Sequence, residues 1–164
     1  MESISQKFSQ IYDSYIAKVY RFVLLKVDSS ETAEDLCSEV FTRFWHSLNS
    51  KQDIKNPQAF IFQIARNMVA DHYREKNKIK TVSVDDCPEL EDRENLEEQV
   101  FSKSDFEQIK LALSKIKPEY QDVVFCHYIE DMPIREIAEV MDKTEGNIRI
   151  MLHRGLKALK KELA

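Results

Sequence analysis

Two glycines and four prolines in 164 residues leave little of the material from which tight turns and phosphate loops are made. Average proteins carry roughly 7% glycine, and β-sandwiches, barrels and Rossmann sheets use it in hairpins, bulges and nucleotide-binding turns. No GxGxxG or GxxxxGK[ST] string is present, which excludes nucleotide binding through those loops. The three cysteines, Cys37, Cys87 and Cys126, are odd in number and widely spaced, with no CxxC pair, so neither a disulfide framework nor a zinc knuckle is expected. His46, His72, His127 and His153 form no paired-ligand spacing, and no metal or cofactor is expected. No uncharged apolar run approaches the ~18 residues of a membrane span. The opening MESISQKFSQIYDSYIAK lacks a basic stretch followed by an apolar one, which predicts a cytoplasmic protein. What is present is 43% apolar and 32% charged residues, finely interspersed, as amphipathic helices require. The fold class expected is all-α.

Charge is distributed unevenly along the chain. The net charge is -5, yet residues 54–80 carry six basic and two acidic groups, residues 81–107 two and ten, and residues 143–164 six and two. Two basic blocks thus flank an acidic one, TVSVDDCPELEDRENLEEQ, whose first half has no apolar face at helical spacing. This block predicts an acidic linker over 79–100 between two small helical domains, 1–78 and 101–164.

Apolar residues recur at the spacing of a helical face in each domain. Phe8, Ile11, Tyr12, Tyr15, Val19, Phe22 and Val23 predict a first helix. A second, capped from Asp28, Ser29 or Ser30, buries Ala33, Leu36, Cys37, Val40, Phe41, Phe44, Trp45 and Leu48, and turns Glu31, Glu34, Asp35, Glu39 and Arg43 outward. The third starts with Asn56 as cap and Pro57 in the first turn, where a missing N–H costs nothing. Its apolar face is Phe60, Ile61, Ile64, Ala65, Met68, Val69 and Tyr73. Beyond the linker, Phe106, Ile109, Leu113 and Ile116 predict a fourth helix ended by Pro118. Tyr120, Val123, Val124, His127 and Tyr128 predict a fifth, and Ile134, Ile137, Ala138 and Met141 a sixth. Thr144 caps a seventh with Ile148, Met151, Leu152, Gly155, Leu156, Leu159 and Leu163 inside.

The last two helices have the spacing of a helix-turn-helix. Ala138 admits close approach of the second helix, and Asp142 supplies a turn residue that tolerates positive φ. With Thr144 as cap, Asn147, Arg149 and Ile150 point outward, followed by His153, Arg154 and Lys157. Arg and Asn read purine edges, Ile150 touches a thymine methyl, and Arg154 and Lys157 hold phosphates. The competing reading is a solvated basic face on an ordinary bundle helix. The third helix carries a polar stripe opposite its apolar face, comprising Gln63, Arg66, Asn67, Ala70, Asp71, Arg74, Asn77 and Lys78, with Phe60, Phe62 and Tyr73 near enough to offer stacking surfaces to a nucleic-acid strand. Such a stripe is also compatible with plain solvation, and such aromatics with a core.

The string NPQAFIFQIARNMVADHYREKNK resembles the DNA-contacting segment in the first conserved domain of bacterial RNA polymerase sigma factors of the extracytoplasmic-function type. AEDLCSEVFTRFW resembles the adjoining polymerase-binding segment, and the stretch from LSKIKPEYQDVVF to LKALKKEL resembles the second conserved domain. The resemblance implies a promoter-recognition subunit without catalysis of its own, whose partners are core RNA polymerase, promoter DNA both duplex and melted, and an anti-sigma factor. Asp35, Leu36, Glu39, Phe41 and Trp45 match the polymerase-docking segment. Asn67 matches a contact to the melted minus-ten element, with Gln63, Arg66, Arg74 and Lys78 on the same helix, and the loop from Asp53 through Asn56 to Gln58 matches a base-capturing loop. The helix from Glu145 to Lys157 matches the reader of the minus-thirty-five duplex. In similar proteins the linker runs through the RNA exit path; its charge here suits a basic channel and equally a solvated tether. Ser38 stands where the family often has Gln, Asp142 and Lys143 replace a usual Gly and apolar residue, and Asn147, Ile150 and Met151 are unusual at their positions, so the promoter sequence is not borrowed from relatives.

Two rivals remain in view. A free-standing helix-turn-helix repressor leaves the docking segment and polar stripe as coincidence. A small enzyme using Asp71 and His72 needs adjacent helical residues, which point about 100° apart, to act on one atom.

Overall fold

Seven α-helices and one π-turn account for the regular structure of a computed structural model that describes residues 2–78 and 103–164, with no strand among the described residues. The chain divides into two units, Met1–Val100 and Phe101–Ala164. The linker expected over 79–100 lies outside the described residues, as does Cys87.

The first unit contains α1 (Ile4–Lys26), α2 (Ser30–Asn49) and α3 (Pro57–Lys78). Each starts on a side-chain cap that satisfies a backbone N–H left over by the helical pattern. Ser3 and Gln6 form a reciprocal capping box, with Ser3 Oγ accepting from the Gln6 N–H at 3.1 Å and Gln6 Oε1 accepting from the Ser3 N–H at 3.0 Å. Ser29 Oγ accepts from the Thr32 N–H at 3.1 Å, and Asn56 Oδ1 from the Ala59 N–H at 3.3 Å. The core collects Ala33, Cys37, Val40, Phe41 and Phe44 of α2, with Ala59, Ile61, Phe62, Ala65, Met68 and Val69 of α3. The C-terminal half of α1 is buried on almost every side, at Val19, Tyr20, Phe22, Val23, Leu24 and Leu25, because it packs against both other helices. Its N-terminal half is more open, and Tyr12, expected inside, is 38% exposed.

Of the two readings open for the aromatics of α3, core and stacking surface, Phe62 takes the core. It is fully buried, its ring meeting Phe22 edge to face with centroids 5.7 Å apart. Phe60 packs against Phe44, and the Tyr73 hydroxyl donates to the Lys26 carbonyl, tying α3 to the end of α1. These aromatics are mortar of the bundle.

The second unit contains α4 (Lys103–Ser114), α5 (Pro118–Val124), the π-turn (Phe125–Ile129), α6 (Ile134–Met141) and α7 (Glu145–Leu163). The expected fifth helix therefore changes type at Phe125. The Glu130 N–H reaches back five residues to the Phe125 carbonyl at 3.1 Å, and this wider turn rotates the side chains of the segment about its axis. Phe125 and Cys126 are buried in consequence, whereas Tyr128, expected inside, is 52% exposed. His127 is half-buried, and its Nδ1 donates to the Met132 carbonyl at 3.1 Å. Leu163, expected on the buried face of α7, is exposed at the last position of that helix.

With no glycine at these positions, three helical segments are followed by other residues in the left-handed region. Lys51 (φ 63°) follows α2, Asp131 (φ 54°) the π-turn, and Asp142 (φ 56°) follows α6. At Asp142 the turn closes in the Schellman manner, the Lys143 N–H donating to the Ala138 carbonyl at 3.0 Å and the Asp142 N–H to the Glu139 carbonyl at 3.3 Å. Asp142 thus makes the bend between the helix-turn-helix elements.

Gly155 is used differently. A Cβ there would lie 3.0 Å from Val124 Cγ2 and 3.2 Å from Tyr120 Cβ, so its bare backbone lets α7 settle onto α5, while a Cβ at Gly146 meets nothing. Gly155→Leu is expected to cost about 1–3 kcal/mol by overpacking, and Gly146→Ala to gain about 0.4–1 kcal/mol, both read by denaturant unfolding. Equal effects at the two positions would contradict this packing.

Candidate nucleic-acid interface

The helix-turn-helix is assembled by burial on one side and solvent on the other. Ile137, Ala138, Val140 and Met141 of α6 and Ile148, Met151 and Leu152 of α7 are buried. Thr144 Oγ1 accepts from the Asn147 N–H at 3.1 Å and starts α7 where the expected cap lies. Glu145, Asn147, Arg149, Ile150, His153, Arg154 and Lys157 are all exposed on the face away from that core. Arg149 Nη2 lies 3.5 Å from Glu145 Oε1, an exposed pair one turn apart that a stronger acceptor displaces at small cost. Ile150 is 49% exposed among these polar groups. α7 therefore offers donors, cations and one apolar contact along a single ridge.

On α3, Asn67, Ala70, Asp71 and Arg74 are exposed and Gln63 and Arg66 half-exposed, forming a polar stripe whose back is the apolar core face. Arg74 is paired with Asp71 at 3.0 Å. Lys76 is paired with Asp28 at 2.5 Å, and that hydrogen bond holds its ammonium above the usual lysine range, so this end of the stripe stays cationic. Lys78 is the last residue of α3. Asn56 is the cap of α3, with Oδ1 turned toward the helix, and the 53–56 loop precedes it.

The residues matched to polymerase docking do not share one surface. Asp35 and Glu39 stand exposed on α2, with Glu39 paired to Arg43 at 3.3 Å, and Leu36 is half-buried. Phe41 is 3% exposed and Trp45 half-buried. Both line a groove of about 510 Å³ between α1 and α2, walled by Phe8, Tyr12, Ile16 and Tyr20 and edged by Glu34, Ser38 and Thr42. Phe8 meets Trp45 edge to face at 5.3 Å and Tyr12 meets Phe41 at 4.9 Å, so these aromatics hold α1 against α2 and present the acidic ridge. Cys37 borders the groove from within, where burial pushes its thiol up to about 12 and keeps it protonated. Among the described residues no group of His, Cys, Asp or Glu could hold a metal ion, and no helix is long and apolar enough to cross a membrane.

Two family models match the chain in order: Sigma-70 region 2 over residues 11–79 and Sigma-70, region 4 over residues 106–159. The extracytoplasmic-function sigma factor BldN of Streptomyces coelicolor is 30% identical over 156 residues, covering 93% of this chain, which spans 58% of BldN's own length. SigM of Bacillus subtilis, also named an extracytoplasmic-function sigma factor, is 29% identical over 155 residues, covering 92% of this chain and 91% of SigM. Among solved structures, the sigma factor RpoE of Bartonella quintana, in complex with the anti-sigma factor NepR, superimposes with a TM-score of 0.73 at 17% identity, covering 96% of each chain, a likeness of fold. The region-2 match contains α2 and the stripe on α3, and the region-4 match contains the helix-turn-helix and its exposed ridge; the chain belongs to the RNA polymerase sigma factors of the extracytoplasmic-function type.

Proposed function

We propose that the two exposed faces divide promoter recognition between them, as a sigma factor directs core RNA polymerase to promoters. Asn147, Arg149, Ile150, His153, Arg154 and Lys157 on α7 read and grip the minus-thirty-five duplex, with Glu145 at the edge of that ridge. Gln63, Arg66, Asn67, Arg74 and Lys78 on α3, with the loop from Asp53 through Asn56 to Gln58, hold the melted minus-ten strand. A protein groove stabilises bases taken out of the stack at a few kcal/mol each. Asp35 and Glu39 carry the docking contact to polymerase, Leu36 flanks them, and Phe41 and Trp45 act from beneath by fixing α2. The observation that supports this division is that each unit builds its own polar, partly cationic helical face backed by a complete apolar core.

The chain's role is binding rather than catalysis, and its place of work is the cytoplasm, where promoter DNA and polymerase are. Its net charge of -5 opposes tight DNA binding by the free protein, which makes polymerase a required partner. An anti-sigma factor belongs to the same proposal, because the Bartonella relative was solved with one. The experiment is a charge reversal on α2. Asp35→Lys with Glu39→Lys is expected to lower affinity for core polymerase about tenfold or more, with steeper loss of on-rate at low salt, while leaving the unfolding midpoint unchanged because both side chains are exposed. Unaltered assembly of the holoenzyme would remove the docking assignment.

A further inference from the structure

Lys18 belongs to none of these motifs, and it sits at the end of the α1–α3 seam, beside the first turn of α3. Phe22 and Phe62 pack edge to face where α1 and α3 meet, and one helical turn earlier on each helix Lys18 Nζ donates to Gln58 Oε1 at 3.3 Å. This links residues 40 apart in sequence and places an ammonium beside the first turn of α3, two residues beyond the Asn56 cap that closes the preceding loop. Lys18 is half-exposed, and its other contact is the Tyr15 ring, 5.7 Å from Nζ. Among the described residues no carboxylate pairs with it. The arrangement is unlike Lys76 or Arg74, each matched to an Asp. Gln58 accepts a hydrogen bond from the ammonium without neutralising it, so the charge remains available while its position is restrained. In a chain with an excess of acid, an unpaired cation held at a loop that takes up a strand is suited to an anion.

We propose that Lys18 is a backbone-phosphate contact for the unpaired minus-ten strand where it enters the 53–58 loop, with Gln58 as the residue that positions it. A lysine suits this place because its compact charge on a long stem follows a phosphate without demanding the bidentate geometry of arginine. The inference rests on the reading of α3 and its loop as the strand-binding face.

The test uses holoenzyme reconstituted from core polymerase with the wild-type chain, Lys18→Ala or Lys18→Arg. Binding is measured to a forked promoter whose minus-ten non-template strand is unpaired, across a salt series. For Lys18→Ala the slope of log affinity against log salt is expected to shrink by about 0.7, the value of one phosphate contact on a single strand. Lys18→Arg keeps the wild-type slope, and the variants' unfolding midpoints and binding to an isolated minus-thirty-five duplex stay unchanged. A single methylphosphonate walked along the strand should weaken the wild type at one position and leave Lys18→Ala indifferent there. A slope for Lys18→Ala equal to wild type, or a loss that appears equally on the duplex, overturns the contact while leaving the α3 reading intact. Wild-type holoenzyme that gains nothing from the unpaired strand overturns that reading and the role of Lys18 with it.

Discussion

Arg149→Ala is expected to weaken holoenzyme binding to the promoter's minus-thirty-five duplex by about 1–3 kcal/mol, about five- to 150-fold, and to relax preference at one base pair. The guanidinium stands on the first full turn of α7 beyond the Thr144 cap, exposed and restrained only by the pair with Glu145 at 3.5 Å. That pair is worth little in water, so its loss does not offset the missing base contact. Arg154→Ala, which removes the phosphate contact proposed further along α7, is expected to weaken all sequences alike and to reduce the salt slope by about one. Competition binding against single-base promoter variants separates the two. Arg149→Ala holoenzyme with unchanged affinity and unchanged base preference contradicts the assignment of α7.

The second large effect is on the first unit. Phe62→Ala is expected to destabilise it by about 3–5 kcal/mol, because a ring that is fully buried against Phe22 leaves a cavity between α1 and α3 that the helices do not refill. Asn67→Ala, five residues further along the same helix but exposed, should leave the unfolding midpoint within about 0.5 kcal/mol of wild type and instead reduce binding to the unpaired minus-ten strand. Chemical denaturation and forked-promoter binding, measured on both variants, are expected to give opposite patterns. A stable Phe62→Ala that loses strand binding would mean the ring stacks on bases.

The contrast between these two residues shows which parts of the molecule were legible from sequence. Periodicity and caps served wherever one helix meets its neighbours along a single face. Ser29, Asn56 and Thr144 each accept the backbone hydrogen bond expected of a cap, and Asp142 adopts the positive φ that the helix-turn-helix bend needs. On α2, the alternation of buried Cys37, Val40 and Phe44 with exposed Asp35, Glu39 and Arg43 follows the helical spacing closely. Phe62 escaped because α3 packs against two helices, and a face drawn for one partner leaves out the residue that meets the other. Tyr128 escaped for a different reason: a π-turn adds to the residues per turn, and no composition signal in FCHYI announces it. Lys18 was invisible because its meaning depends on Gln58, forty residues away, and only packing brings the two together.

That this chain acts on promoters as part of RNA polymerase is tested most directly by run-off transcription with core polymerase, alongside mobility shifts of the same promoter fragments. Defined transcripts are expected only when chain and core are both present, with a shift of promoter DNA by the holoenzyme but not by the chain alone. Tight binding of the promoter duplex by the chain alone, with no transcript on adding core, would contradict it.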